Sequence, residues 1–215
     1  FDMRGFWADE RRENGLWPAS HPFYRRLYQL WKAREQLMLK SATEIVVLTE
    51  AAKNTLETWG VGSHKVTVIP CAADFDSFSL PAPERLKARH IIRNSLNIPS
   101  EGIVFVYSGS MGPHYAPEDL IEIITAAHQL RKEVYFLILT LHDTSSLQNS
   151  LIDRGFPHSQ YRVLSASHAD IPRYLAAADI GIATVKPTFS KVASSFTKLA
   201  EYLAADLPVI ATAIG

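Results

Sequence analysis

Ser194-Ser195-Phe196-Thr197-Lys198-Leu199-Ala200-Glu201-Tyr202-Leu203-Ala204-Ala205-Asp206-Leu207-Pro208-Val209-Ile210-Ala211-Thr212 reads as a polar loop, a helix start, a helix and then a buried strand. Ser194, Ser195 and Thr197 can cap the helix and leave backbone N–H groups directed outward. Lys198 adds a positive charge in the first turn, where the helix field by itself favours an acid. Exposed amides beside a cation suit a bound phosphate. Glu201 follows one turn later, where a carboxylate that accepts two hydroxyl hydrogen bonds can hold a ribose. The alternative for Glu201 is a solvated acid on a helix surface.

Outward from that stretch the pattern is regular. Strands are expected near 103–107, 134–140, 162–164, 180–184 and 209–212, with helices at 117–131, 145–154, 171–177 and 197–205. Strands that are apolar on both faces and separated by helices predict a parallel sheet covered on both sides. Ligands of such sheets bind at the carboxyl ends of the strands. Upstream, apolar residues at helical spacing among Arg and Lys predict an amphipathic helix over 22–42. A strand over 44–49, a helix over 50–59 capped by Thr49 and a strand over 66–70 follow. After Asp74 the composition turns to Ser, Pro and Phe, then to a basic helix over 85–95 and the closing Pro99-Ser100-Glu101-Gly102, which together read as a connection.

Composition sets limits. The chain has 215 residues, 47% of them hydrophobic, enough for a real core. Lys plus Arg and Asp plus Glu number 22 each, so no overall field favours nucleic acid and an anion site must be local. The single Cys71 excludes an internal disulfide framework and a cysteine zinc cluster, in keeping with a reducing compartment. Eight histidines show no metal-ligand spacing. No apolar run reaches the roughly 18 to 20 residues of a membrane span, which predicts a soluble chain. It begins at Phe1 and stops at Gly215 just after an expected strand, and so reads as a piece of a longer polypeptide.

The stretch from Ser194 resembles the donor-binding helix of the GT-B glycosyltransferases of family 4, in the variant S-x-T-K-x-x-E-Y-x-A-x-x-x-P-V-I. The likeness continues upstream, in that family's order, through Phe1-Asp2-Met3-Arg4-Gly5 with Ala8-Asp9-Glu10, Val46-Val47-Leu48-Thr49, Val68-Ile69-Pro70-Cys71-Ala72-Ala73-Asp74 and Tyr107-Ser108-Gly109-Ser110-Met111-Gly112. The resemblance implies an α/β fold of GT-B type, with Rossmann-like parallel sheets carrying helices on both faces, incomplete at both ends. It implies the last part of an acceptor-side domain over 1–74, an interdomain connection over 75–100 and a truncated nucleotide-sugar-binding domain over 101–215.

The same resemblance implies a retaining, metal-independent transfer of a sugar from a nucleotide-diphosphate sugar to an acceptor hydroxyl, with no cofactor beyond the donor. The expected partners are the nucleotide sugar and a sugar or lipid-linked acceptor, not nucleic acid. A cytoplasmic location is expected. The basic residues of the helix near 25–34 fit either contact with a membrane surface or a solvated face. Rival readings are a catalytically silent nucleotide-sugar-binding module, a sugar-nucleotide epimerase of the same fold, and a nicotinamide oxidoreductase. The last is disfavoured because the loop after residue 107 lacks G-x-G-x-x-G spacing.

Candidate donor-binding residues are Gly109, Ser110, Gly112, Ser167, Ser194, Ser195, Thr197, Lys198 and Glu201; Arg4 and Lys198 are the candidate catalytic residues. Gly109 and Gly112 permit close backbone approach to a phosphate, although a tight strand-to-helix turn uses the same residues. Many relatives carry an Arg in this loop and a Lys shortly after; here Ser110 and His114 stand in those places, and the charge falls to Lys198, Lys191 in a polar loop, or Lys186. The commoner family pattern has two glutamates; Glu201 matches the second, and Ala193 occupies the first position. Asp206 stands where a small residue or glycine is usual. Ser167 either contacts the base or, like Asp170, caps a helix. Asp2, Arg4, Asp9 and Glu10 either line the acceptor side or form a solvated cluster.

Overall fold

The computed structural model describes residues 1–111 and 117–214. These divide into two compact units: Phe1–Cys71 with Lys186–Phe196 and the terminal residues, and Ala72–Val185 with Thr197–Thr212.

The first unit holds β1 (Asp2–Met3), α1 (Trp7–Glu13), α2 (Pro22–Ser41), β2 (Ile45–Val47), α3 (Glu50–Thr58) and β3 (Val66–Val68). β1 and β3 flank β2, and all pairs are parallel. Pro22 opens α2 with its φ already set for a helix. Thr49 caps α3 as expected, its hydroxyl accepting the Ala52 amide hydrogen at 3.0 Å while donating to the Val192 carbonyl. Ile45, Val47, Ala52 and Leu56 close the core with Met3 and Phe6.

The second unit begins with α4 (Phe75–Phe78) and α5 (Ala82–Ser95). It continues as β4 (Ile103–Ser108), α6 (Pro117–Leu130), β5 (Val134–Leu139), α7 (Ser145–Asp153), β6 (Tyr161–Leu164), α8 (Ile171–Ala177), β7 (Ile180–Ala183), α9 (Thr197–Ala204) and β8 (Val209–Ala211). The strands form one parallel sheet in the order β6-β5-β4-β7-β8. Alternate side chains enter two different cores, the signature of a sheet buried on both faces. Val104, Val106, Leu137 and Leu139 pack with Leu175 of α8 and Tyr202 of α9. Phe105, Tyr107, Phe136 and Ile138 pack with Leu120 and Ile124 of α6 and Leu151 of α7.

Two sequence expectations change. The segment 75–100 is integral to the second unit, because Phe78 and Ile98 enter its core. Arg93 also locks α5 in place: its guanidinium is buried and donates to the carbonyls of Ala177 at 3.0 Å and of Ser100 and Gly102 at 2.9 Å. The strand at 209–211 was expected to be buried, but β8 is the edge of the sheet among the described residues, with Ile210 40% exposed. It has a neighbour, β7, on one side only.

Candidate functional site

The chain runs from β4 outward to β5 and β6, then returns to place β7 on the other side of β4. That reversal makes the carboxyl ends of β4 and β7 the switch point of the sheet, the usual ligand position in such folds. Gly109 leaves β4 at φ 124°, a backbone angle that side-chain-bearing residues rarely adopt. Its missing Cβ also leaves room for Lys198, since a Cβ there would lie 3.2 Å from Nζ and 3.4 Å from Cε. Lys198, in the first turn of α9, thus reaches the backbone at the end of β4, its Nζ 4.0 Å from the centroid of the Tyr107 ring. The Tyr107 hydroxyl donates to the Ser110 carbonyl and so ties the loop to the strand.

Burial disfavours the ammonium form of Lys198 and lowers its pKa to about 8, a shift opposed by the nearby Glu201 carboxylate. Burial in turn raises the Glu201 pKa, partly offset by the charges of His168 and Lys198. His168 is exposed, with its ring 5.5 Å from that of Phe78. A cation and an acid one turn apart, at the switch point of a parallel sheet, can meet the phosphate and sugar parts of one nucleotide.

The remaining sequence candidates divide. Thr197 is the first residue of α9. Ser194 and Ser195 are grouped with the first unit, where the Ser195 hydroxyl accepts the Cys71 amide hydrogen at 3.1 Å and the Ser194 amide donates to the Lys191 carbonyl at 3.0 Å. Ser167 donates to the Asp170 carboxylate at 2.7 Å, and neither side chain caps the helix. Gly112 lies outside the described residues. Lys191 is not in a free polar loop: it is buried in a 3-10 helical turn and bridges to Glu10 at 3.0 Å. Lys186 is exposed.

In the first unit, a pocket of about 290 Å³ is lined by Arg4, Trp7, Glu10, Trp31 and Glu35 among others. Arg4 is exposed and bridges to Asp2 at 2.8 Å. Asp9 departs from the solvated-cluster reading, because it is buried and accepts from the Tyr28 hydroxyl at 2.7 Å and Lys32 Nζ at 2.8 Å. Among the described residues no cluster of His, Cys, Asp and Glu could hold a metal ion, and no helix is long and apolar enough to cross a membrane.

Tyr107 and Tyr202 were missed as site residues. Tyr202 follows Glu201 on α9 but points into the core; its hydroxyl accepts the Ser108 amide hydrogen at 2.8 Å and lies 3.4 Å from the Ile182 carbonyl. It therefore joins the ends of β4 and β7. Its place beside Glu201 in the quoted motif was the available signal.

No family model matches the chain. Over 105 residues it is 25% identical to D-inositol 3-phosphate glycosyltransferase of Xylanimonas cellulosilytica, a match covering 49% of this chain and 24% of that protein. The solved structure of Anabaena HepE in complex with UDP superposes with a TM-score of 0.68 at 16% identity, covering 100% of this chain and 53% of that one. Sucrose-phosphate synthase of Thermosynechococcus elongatus superposes with a TM-score of 0.66 at 19% identity, covering 92% of this chain and 46% of that one. The chain therefore spans about half the length of these solved structures, and its match covers about a quarter of the curated protein.

Proposed function

From a GT-B glycosyltransferase fold, shared with HepE and sucrose-phosphate synthase, we propose that this chain belongs to a retaining, metal-independent glycosyltransferase. It moves a sugar from a nucleotide-diphosphate sugar to the hydroxyl of a sugar or lipid-linked acceptor, in the cytoplasm. The observation that carries the reading is the meeting of Lys198 with Gly109 at the sheet's switch point, Glu201 standing one turn further along α9. UDP bound in HepE and UDP-glucose bound in a further HepE structure lend support to a nucleotide-sugar donor.

The chemistry assigned to the site is charge stabilisation. As the bond from sugar to diphosphate loosens, negative charge grows on the leaving oxygens. The Lys198 ammonium and the amides opening α9 are suited to receive it. Glu201 accepts hydrogen bonds from the ribose hydroxyls and fixes the donor without moving a proton. Gly109 and Ser110 bring backbone close to the phosphates, and Arg4 serves the acceptor side. Calorimetric titration of the chain with UDP, GDP and ADP tests the reading: one nucleotide should bind, and Lys198→Ala and Glu201→Ala should each weaken it at least about tenfold, the size of one lost charged hydrogen bond. No binding of any of the three sinks the proposal.

The second reading is a catalytically silent nucleotide-sugar-binding module. It is favoured by the commitment of Lys191 to Glu10 and by Ser110 standing where many relatives of the resembled family carry an Arg. Sugar transfer by the intact polypeptide excludes it; donor binding without turnover establishes it.

A further inference from the structure

The segment Lys186–Phe196 joins β7 to α9 in the sequence, yet it folds with the first unit. A connecting segment ordinarily runs over the surface of its own domain. Here Ala193 belongs to the same buried core as Met3 and Val66, Val192 packs against that core, and the Phe189 ring stacks on Phe6 at 5.0 Å. Side chains of the first unit bind its backbone and hydroxyls as well: the Thr49 hydroxyl donates to the Val192 carbonyl, and the Ser195 hydroxyl accepts the Cys71 amide hydrogen.

This strap is cationic and its clamp is acidic. Residues 186–196 include Lys186 and Lys191 and no acid. Glu10 and Glu13 stand three positions apart on α1, a spacing that puts both on one face of the helix. Glu10 bridges to Lys191 at 3.0 Å, and the Glu13 carboxylate accepts the Ser190 amide hydrogen at 3.1 Å. Ser190 is the second residue of the 3-10 turn Phe189–Ala193, so its amide is one of the donors that a helical turn leaves without an internal partner. Glu13 caps that turn from a distant part of the chain, and its charge strengthens the bond. Lys191 is 8% exposed, so losing Glu10 would leave a buried ammonium without its carboxylate.

Helix α9 opens at Thr197, the residue after the strap ends, and Lys198 follows in its first turn. We propose that Glu10 and Glu13 are positioning residues for the donor-binding turn: they hold the strap in one conformation, so that α9 starts already ordered when a diphosphate arrives. Without them the nucleotide must order that turn itself, and apparent affinity falls with the fraction of molecules already in the competent form. The inference rests on the reading above that places the diphosphate at the start of α9. Neither acid is assigned a contact with the donor.

Amide hydrogen exchange across residues 190–198, with calorimetric titration against UDP, GDP and ADP, tests the proposal on the chain as it stands. Glu10→Gln should speed exchange there and weaken nucleotide binding at least about threefold. Glu13→Ala should act in the same direction, and because it leaves the buried ion pair intact it keeps the test open if Glu10→Gln fails to fold. Glu10→Asp, which retains the charge, should recover most of the affinity. Lys191→Gln should match Glu10→Gln, and combining the two should weaken binding no further than either alone, because one pair is lost in all three. Variants that melt earlier but bind nucleotide as the wild type does, at temperatures where both are folded, overturn the proposal. So does Lys191→Gln weakening binding where Glu10→Gln does not, which makes Lys191 itself a donor contact. If the wild-type chain binds no nucleotide, the functional reading fails, and exchange at Thr197 and Lys198 decides by itself whether the two acids of α1 order the first turn of α9.

Discussion

The Tyr202 hydroxyl of α9 accepts the amide hydrogen of Ser108 at 2.8 Å, so the helix carrying Lys198 and Glu201 is bonded directly to the end of the strand carrying Gly109. Tyr202 is fully buried, and burial raises its pKa, which keeps the hydroxyl neutral. Tyr202→Phe leaves the buried Ser108 amide without this acceptor. The expected loss is about 1–3 kcal/mol of stability, read as an earlier denaturant midpoint with an unchanged slope. Nucleotide affinity should fall as well, because the variant loosens Gly109 against α9.

Lys198 sets a pH dependence for donor binding. Its pKa, about 8, means the ammonium is present below that pH and lost above it, and a diphosphate binds the charged form better. Binding therefore takes up a proton near pH 8. Nucleotide affinity should be level on the acid side and weaken toward about tenfold per pH unit beyond the pKa, until the complex itself titrates. Lys198→Arg, which keeps its charge throughout, should flatten that fall. Calorimetry across the alkaline range checks both, and an equal fall in the two proteins rules Lys198 out as the titrating group.

Gly109→Ala tests the approach of Lys198 to the strand end. The substitution forces an L side chain onto φ 124° and sets its Cβ 3.2 Å from the lysine Nζ. Strain of about 1–3 kcal/mol is expected in the melting temperature. Nucleotide binding should weaken more than stability alone explains, because the ammonium must withdraw from the loop.

Arg93 is a structural counterpart to that site. Its guanidinium donates to Asp179 Oδ2 at 2.7 Å, and the same oxygen accepts the Val104 amide hydrogen at 2.8 Å. Burial lowers the Arg93 pKa, while Asp179 opposes that shift. Arg93→Ala leaves the Pro99, Ser100 and Gly102 carbonyls without this donor, while Arg89 still pairs with Asp179 at 2.6 Å and reaches the Ala177 carbonyl at 3.3 Å, so a loss of about 1–3 kcal/mol is expected. Arg93→Lys, which restores charge without the fork of donors, should recover only part of it. Thermal melts of the two variants measure the difference.

The double-wound sheet was legible because each strand must be apolar on both faces, and Ile103–Ser108 and Val134–Leu139 are. Helix starts were legible where chemistry marks them, as Thr49 does for α3. Lys198, Glu201 and Gly109 could be read from a glycine loop after a strand and a polar helix start. Lys191 could not, because the carboxylate that buries it, Glu10, lies 181 positions away in the chain. Tyr107 and Tyr202 were hidden for another reason: a tyrosine at an apolar position has the pattern of a leucine until the partner of its hydroxyl is known. Segment 75–100 looked like a connection because Phe78 lies in a Ser- and Pro-rich stretch and Arg93 is a charged residue whose burial depends on carbonyls and an acid elsewhere in the fold.

Asp206, the position where glycine was expected, shows why that residue type fits there. It takes φ 57° just after α9, its amide donating to the Leu203 carbonyl at 3.1 Å and the Leu207 amide to the Tyr202 carbonyl at 3.0 Å, a Schellman closure. Aspartate tolerates the left-handed angle better than most residues but still less well than glycine. What it gains is a bridge to Arg85 at 2.7 Å between side chains 76% and 40% exposed, worth little in water. Asp206→Gly should therefore stabilise the chain by up to about 1 kcal/mol, whereas Asp206→Ala loses the bridge and keeps the strain. The glycine variant should melt higher than the alanine variant; the reverse order would show that the Arg85 bridge outweighs the backbone angle.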